Sequence, residues 1–337
     1  MPIVLKSFTS LCYDTVSNMS SKGSKSLMKQ EKITMKDIAR ELNLSLATVS
    51  YVLNHSEKEK ISHDTRIKVL ETAKRMGYVP NQTAKSLLKS RSNLIGIIVN
   101  LSTNASSYIR YQAMDLAGEL QKQIYGAGYD TILSIAYELE DIQIKYKHSL
   151  EAVFIIDVSE KSLRKITKHY YVPVIFLDCD FEEGLFYKIL PDYTSIIREA
   201  KKRLEEENPF LVMDYIINER IKEQISDQFH KDDIFIHKSN SNLKEFLTGK
   251  VSRKGIIIGD LLAVQVERYI DNSNILVIST NNATDLLLPD TKRITVSNRQ
   301  KAEVAIAILK KLIIMDYDEN SRTQILLLPD PPVELNI

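Results

Sequence analysis

The 337-residue chain has only two cysteines, Cys12 and Cys179, which are far apart and form no CxxC spacing. This scarcity excludes a disulfide scaffold and a zinc-ribbon site, and it fits a reducing cytoplasm. No apolar run approaches the roughly 20 residues that cross a bilayer, which excludes an integral membrane protein. The N-terminus lacks the basic and apolar block of a secretory signal. We therefore expect a cytoplasmic protein with no membrane partner.

Sequence signatures of catalysis are also missing. The six histidines are dispersed without HxxxH spacing, and no GxSxG or P-loop sequence occurs. Gly126-Ala127-Gly128 looks like half of a dinucleotide motif, but it follows a predicted helix and precedes a predicted strand. The motif requires the opposite order. The sequence thus predicts no catalytic residues, no metal site and no cofactor, and we expect that the chain is not an enzyme.

A formal net charge of +1 conceals a strong separation of charge along the chain. Residues 28–93 carry about 13 basic and 7 acidic side chains, whereas residues 94–337 carry about 29 basic and 36 acidic ones. A small basic segment attached to a large acidic body suggests a polyanion-binding module joined to a second unit.

The basic segment carries the pattern of a helix-turn-helix followed by a third helix. Thr34 and Asp37 have capping-box spacing, Ser45 and Ser62 are natural N-caps, and Gly77 is a typical helix stop. Apolar side chains recur at helical spacing behind each cap. They are Ile38, Ala39 and Leu42, then Val49, Val52 and Leu53, then Val69, Leu70, Ala73 and Met76. Helix patterning alone leaves open a generic three-helix bundle.

The residue types of this segment favour the helix-turn-helix domain over a generic three-helix bundle. The segments ITMKDIARELNLSLATVSYVLN and KISHDTRIKVLETAKRMGYVPNQTAKSLLKSRSNLIGIIV closely resemble the LacI family of bacterial transcription regulators. The resemblance runs from about Ile33 to Val99 and is weaker beyond it. It implies an N-terminal all-α helix-turn-helix DNA-binding domain and an α/β core. That core is two-lobed and periplasmic-binding-protein-like, with parallel sheets.

The resemblance also implies a set of DNA contacts. Leu46 and Ala47 cannot hydrogen-bond base edges but can pack against thymine methyl groups, which favours A·T-rich half-sites. In the hinge, Leu87 matches a leucine that wedges into the minor groove, and a flexible pyrimidine–purine step is expected there. The expected DNA-binding residues are Thr34, Ser45, Leu46, Ala47, Thr48, Ser50, Tyr51, Asn54, Asn81, Ala84, Lys85 and Leu87.

We expect four segments. They are a disordered tail or misassigned start at 1–27, a DNA-binding domain at 28–80, a hinge helix and linker at 81–92, and a core at 93–337. Within the core, β-branched runs alternate with amphipathic segments, the pattern of a parallel sheet covered by helices. The first lobe is expected at about 94–190 and 297–316, and the second at about 191–296 and 317–337.

Ligands of such lobes bind at the carboxyl ends of strands. The resemblance implies effector-binding roles for Arg220, Asp260, Asn281 and Asp192, in each case by matching a family position. Two family positions have changed residue type here, and Asn281 stands where a sugar-binding carboxylate is expected, so a plain sugar is doubtful. A sugar phosphate, another metabolite or no ligand remain open.

Two functions therefore stand. The first is a homodimeric repressor that binds a palindromic double-stranded DNA operator and responds to a small-molecule effector. The second is a ligand-independent or partner-regulated DNA binder whose core serves only dimerisation.

Overall fold

The computed structural model describes residues 33–53, 61–78, 92–101, 106–137, 150–167, 172–182, 184–238, 241–280, 286–314 and 322–330. The expected tail at 1–27 and most of the expected hinge at 81–92 lie outside these ranges. No helix in the described part of the chain combines the length and apolar character needed to cross a bilayer.

The N-terminal domain consists of three helices, as the sequence predicts. They are α1 (Met35–Glu41), α2 (Leu46–Leu53) and α3 (His63–Arg75). Their apolar faces meet in one small core that contains Ile38, Ala39, Val49, Val52, Leu53, Val69, Ala73 and Tyr78. The short helices are held by this shared core, since helices of seven and eight residues are not stable alone.

Two helices of this domain, α1 and α3, are each followed by a residue with left-handed backbone conformation. Asn43 (φ 52°) ends α1, and the Leu44 N–H donates to the Ala39 carbonyl at 2.9 Å. Gly77 (φ 64°) ends α3, and the Tyr78 N–H donates to the Ala73 carbonyl at 3.0 Å. Asn and Gly are the residues that adopt this conformation most readily. The turn between α1 and α2 therefore falls at Asn43-Leu44, the position that the sequence predicts.

The core contains two sheets in which every described pair of strands is parallel. The first sheet has six strands in the order β11-β5-β4-β3-β1-β2. Its strands are β1 (Leu94–Asn100), β2 (Asp130–Ala136), β3 (Ala152–Ile156), β4 (Val174–Leu177), β5 (Tyr187–Pro191) and β11 (Gln324–Leu327). The helices of this lobe are α4 (Ser107–Gly126), α5 (Glu160–Thr167) and α10 (Asn298–Ile313).

The second sheet has five strands in the order β10-β9-β8-β6-β7. They are β6 (Phe210–Asp214), β7 (Ile234–His237), β8 (Gly255–Ile258), β9 (Ile275–Ser279) and β10 (Lys292–Thr295). The helices of the second lobe are α6 (Tyr193–Leu204), α7 (Glu219–Ser226), α8 (Leu243–Thr248) and α9 (Asp260–Val266). Apolar clusters lie on both faces of each sheet, which is why the central strands are almost continuously apolar.

One expected lobe boundary is wrong. Residues 317–337 were assigned to the second lobe, but Gln324–Leu327 pairs with Tyr187–Pro191 at the edge of the first sheet. The reason is that β11 fills the edge of the first sheet next to β5. The Lys188 N–H donates to the Thr323 carbonyl at 2.8 Å, and the Asp192 N–H donates to the Leu327 carbonyl at 2.9 Å. Without β11, these backbone donors of β5 would lack their partners.

Candidate nucleic-acid interface and interlobe cleft

The outward face of α2 carries the side chains that the sequence predicts for DNA contact. Leu46 is 43% exposed and Tyr51 is 36% exposed, although both are large apolar or aromatic residues on a helix that buries Val49, Val52 and Leu53. Large apolar side chains held partly in solvent point to a surface that meets another molecule.

The first turn of α2 is fixed by its own hydroxyl groups. The Thr48 N–H donates to Ser45 Oγ at 3.0 Å, and the two hydroxyls lie 2.8 Å apart. This capping leaves Leu46 and Ala47 exposed at the N-terminal end of the helix, while Ser50 is partly buried on the same helix. An exposed helix N-terminus of this kind is suited to approach base edges and phosphates.

Thr34 is also exposed, and its position is set by Asp37. The Thr34 N–H and hydroxyl both donate to Asp37 Oδ2, at 2.9 Å and 2.7 Å. These bonds lower the pKa of the Asp37 carboxyl. The expected DNA-binding residues Asn54, Asn81, Ala84, Lys85 and Leu87 lie outside the described residues, so their roles stay predictions.

The second candidate site is a cleft between the two lobes of the core. A cavity of about 90 Å³ lies where the carboxyl ends of strands from both sheets face each other. Asp157 directly follows β3, Asp178 directly follows β4, and Asp214 is the last residue of β6. Open parallel sheets bind their ligands at such strand ends.

Two of the carboxylates come from the first lobe and sit on strained backbone. Asp157 and Asp178 have φ values of 55° and 52°, a left-handed conformation that Asp tolerates better than most residues. Asp178 is neutralised by Lys301, whose Nζ lies 2.7 Å and 2.8 Å from its two oxygens. No described lysine or arginine pairs with Asp157 in this way, and burial together with the charge of Asp178 raises its pKa to about 8.

The third carboxylate links the lobes. Ser106, at the start of α4 in the first lobe, donates its hydroxyl to Asp214 Oδ1 in the second lobe at 2.8 Å. His237 Nδ1 lies 2.9 Å from the same oxygen, and the His237 ring is 5.4 Å from the ring of Tyr108 in the first lobe. Burial raises the pKa of Asp214, an effect that the Ser106 and His237 contacts oppose.

The N-terminal end of α7 makes the other contacts across the cleft. The Asn218 amide nitrogen donates to the carbonyls of Val158 and Asp180, both at 2.9 Å, while its oxygen caps α7. Gly259 (φ 111°) also approaches the first lobe closely, because a Cβ there would lie 2.7 Å from Gln112 Nε2. The lobes are therefore held together by polar groups rather than by the cavity's apolar lining alone.

None of the described effector residues expected from the sequence lines this cavity. Arg220 Nη1 instead forms an ion pair with Glu182 at 3.0 Å, and this pair crosses from the second lobe to the first. Asp260 is buried and accepts the Thr280 N–H at 3.2 Å, and Asp192 caps α6 through the Ser195 N–H at 3.1 Å. Asn281 lies outside the described residues. The expected effector roles stay predictions.

The sequence analysis missed Asp157, Asp178, Asp214 and Lys301. A signal for the three aspartates was present, since each stands at the end of a strand that the apolar runs predict. No sequence pattern marked Lys301, because a lysine in a helix is expected to be solvent-exposed. In the fold, Lys301 is only 2% exposed and lies beside Asp178. No group of His, Cys, Asp and Glu among the described residues could hold a metal ion.

The matches to known proteins cover the N-terminal domain and the core to different extents. Residues 34–81 match the model of the bacterial regulatory proteins of the lacI family. The chain is 34% identical over 152 residues to the HTH-type transcriptional regulator MalR of Staphylococcus xylosus, covering 43% of this chain and 44% of MalR. It is 29% identical over 178 residues to the probable HTH-type transcriptional repressor ExuR of Bacillus subtilis (strain 168), covering 50% of each.

These matches span about half the length of the curated relatives, which are transcription regulators and not enzymes. The fold extends further. A structure of the lac repressor dimer bound to operator and the anti-inducer ONPF superposes with a TM-score of 0.55 at 17% identity, covering 88% of this chain and 96% of that chain. The helical head and the two parallel sheets of the core are thus those of LacI-type regulators.

The buried Asp157 carboxyl makes stability depend on pH. Its pKa is raised from 3.8 to about 8 in the fold, so the unfolded chain loses the proton first and stability falls as pH rises between these values. Asp157→Asn removes the effect and suits the left-handed backbone. We expect calorimetry to give a melting temperature above that of the wild type by about 3 °C or more at pH 8.5, and by less at pH 5.

The neighbouring Cys179 thiol and Tyr193 phenol have raised pKa values and stay neutral in this range. Asp227→Asn, an exposed carboxyl in the second lobe, is the control and should shift neither melting temperature. An Asp157→Asn gain of equal size at both pH values would contradict the assignment.

Proposed function

We infer that this chain, whose N-terminal domain belongs to the LacI family of bacterial transcription regulators, is a sequence-specific DNA-binding repressor of the cytoplasm. The observation that carries this function is the α2 surface. It places Leu46, Ala47 and Tyr51 in solvent on a helix whose other face is fully buried. The basic charge of residues 28–93 supplies the attraction to phosphates.

Leu46 and Ala47 offer methyl groups rather than hydrogen-bonding groups at the N-terminal end of the reading helix. Such side chains discriminate by packing against thymine methyls in the major groove. One helix of this size covers only a short half-site, so specific binding requires two heads on an inverted repeat. We propose a palindromic, A·T-leaning operator bound by a homodimer.

The core offers a surface for the second copy. Tyr111, Met114 and Tyr125 recur along one exposed stripe of α4, and Leu133, Ile135 and Tyr137 lie along and just after the edge strand β2. Gln121 of α4 donates to Thr131 of β2 at 3.1 Å, so the stripe and the strand adjoin. Six large apolar or aromatic side chains in one patch fit a two-fold interface in which the same surface meets itself.

The interlobe cleft supports regulation by a small molecule. Polar contacts from Ser106, Asn218 and Arg220 hold the lobes together around a cavity at the strand ends. A ligand that binds one arrangement of the lobes better than another shifts the balance between them by that difference in affinity. We propose that this balance is transmitted through residues 81–92 to the DNA-binding heads.

Selection from random duplex DNA tests the operator proposal. We expect an enriched inverted repeat with A·T-leaning half-sites, whose affinity falls steeply with salt. Leu46→Ser should weaken binding to that site roughly tenfold or more, because each lost base contact costs on the order of 1–3 kcal/mol, and should leave random-DNA binding nearly unchanged. Val251→Ser, at an exposed apolar residue of the effector core, is the control. No enrichment of any sequence would overturn the proposal.

Light scattering tests the homodimer. Tyr125→Asp combined with Leu133→Asp places charges in the centre of the proposed interface, where an unpaired charge is strongly unfavourable. Because both residues are exposed in the single chain, the fold should survive, which circular dichroism verifies. We expect the wild type to be a dimer, the double variant to be a monomer, and Val251→Asp to remain a dimer. A dimeric double variant would rule out this interface.

A further inference from the structure

The cavity between the lobes is unbalanced in charge. Among the described residues that line it, Asp157, Asp178 and Asp214 are acidic and Lys301 is basic. The Lys301 ammonium is committed to Asp178, with which it makes two short contacts. Asp157 and Asp214 therefore face the cavity without a lysine or arginine partner.

Each of these two carboxylates also has an oxygen with no hydrogen-bond partner. Asp157 Oδ1 and Asp214 Oδ2 are both shielded from solvent and unpaired, although nearly all buried polar atoms in folded proteins are paired. Asp214 is only 4% exposed, and its contacts to Ser106 and His237 both involve Oδ1. The two residues come from opposite lobes, and both line the same cavity.

The cavity is small. Its volume is about 90 Å³, and at roughly 15 Å³ for each water-sized group it has room for about six such groups. Its remaining lining mixes apolar side chains, such as Ile109, Ile156 and Met213, with a few polar ones. Such a lining fits a short aliphatic chain with polar ends.

We propose that the interlobe cleft binds a small aliphatic amine, whose ammonium groups donate hydrogen bonds to Asp157 and Asp214 and thereby join the two lobes. The proposal rests on the proposed function only in taking this cleft as the effector site. An ammonium group supplies the hydrogen-bond donors that the free oxygens lack, and its positive charge stabilises the ionised form of two carboxyls whose pKa burial raises.

Other ligand classes fit less well. A phosphate or carboxylate would meet three acidic side chains and one lysine that is already paired. A neutral polyol could donate hydrogen bonds to the free oxygens but would not stabilise the ionised form of the two carboxyls. Charge therefore favours the amine over both, and the comparison can be made with ligands of equal length.

Isothermal titration calorimetry on the full chain provides that comparison. The probes are 1,4-diaminobutane, 1,4-butanediol and butanedioate, which share a four-carbon chain and differ in charge. We expect saturable 1:1 binding of the diamine per chain, with affinity at least about tenfold above that of the diol. No detectable binding of butanedioate is expected. Equal affinity for the diol and the diamine, or no binding of the diamine, would overturn the proposal.

Variants locate the binding. Asp214→Asn and Asp157→Asn should each weaken diamine binding roughly tenfold or more while leaving any diol binding within a few-fold, because the substitution removes the negative charge but keeps the shape and one acceptor oxygen of the side chain. Two positions on opposite lobes are used because Asp214→Asn also alters the contacts to Ser106 and His237. Asp227→Asn, an exposed carboxyl of the second lobe, should bind as the wild type does. Unchanged diamine binding in both cleft variants would place the amine elsewhere and overturn the proposal.

The same samples separate this proposal from the proposed function. Diamine binding that leaves affinity for the selected operator unchanged would support the amine site and contradict its role as the effector site. Binding of the diol alone, with a change in operator affinity, would support the effector site and contradict the amine.

Discussion

The contact between the two lobes of the core depends on buried carboxyl groups at the facing ends of their parallel sheets. Asp157 and Asp214 both take hydrogen-bond donors from across the cleft, because a buried polar group without a partner is unfavourable. The second lobe donates the backbone N–H groups of Ile217 and Asn218 to Asp157, and the first lobe donates the Ser106 hydroxyl to Asp214. Among the described residues, Asp157 Oδ1 and Asp214 Oδ2 remain without a hydrogen-bond partner, and they belong to the residues that the proposed ligand would contact.

Much of the fold follows from the sequence, because its elements are regular. The three head helices and the apolar strands of both sheets lie where hydrophobic spacing and capping residues predict them. Three strands of four or five residues are not predicted by this pattern, because they are short and not uniformly apolar. Tyr187–Pro191 contains Lys188, and a charged residue is not expected in a buried strand. In the fold, the Lys188 ammonium pairs with Asp180 at 3.1 Å. Lys292–Thr295 is a half-exposed edge strand. The pairing of Gln324–Leu327 depends on a sheet edge that no local pattern reveals.

The candidate sites divide in the same way. The α2 surface could be predicted residue by residue, because exposure on a short amphipathic helix is a local property of spacing. The cleft could not, because its composition depends on which strand ends meet across the two lobes. Arg220 matched a family position, yet its guanidinium lies among Glu182, Glu160 and Asp180 of the other lobe. The only sequence feature that pointed to Asp157 and Asp214 was their position at the end of an apolar strand.

The central claim is that polar contacts from the start of α7 hold the lobes closed. Distances between spin labels at Lys161 and Glu223, exposed residues on opposite lobes, test it directly in a Cys12→Ser background, since Cys179 is buried. The account predicts one narrow distance distribution for the otherwise unaltered chain. It predicts a longer, broader distribution when Asn218→Ala and Arg220→Ala are combined, and no change for Lys222→Ala, whose ion pair stays within α7. A distribution unaltered by the double substitution would contradict the account.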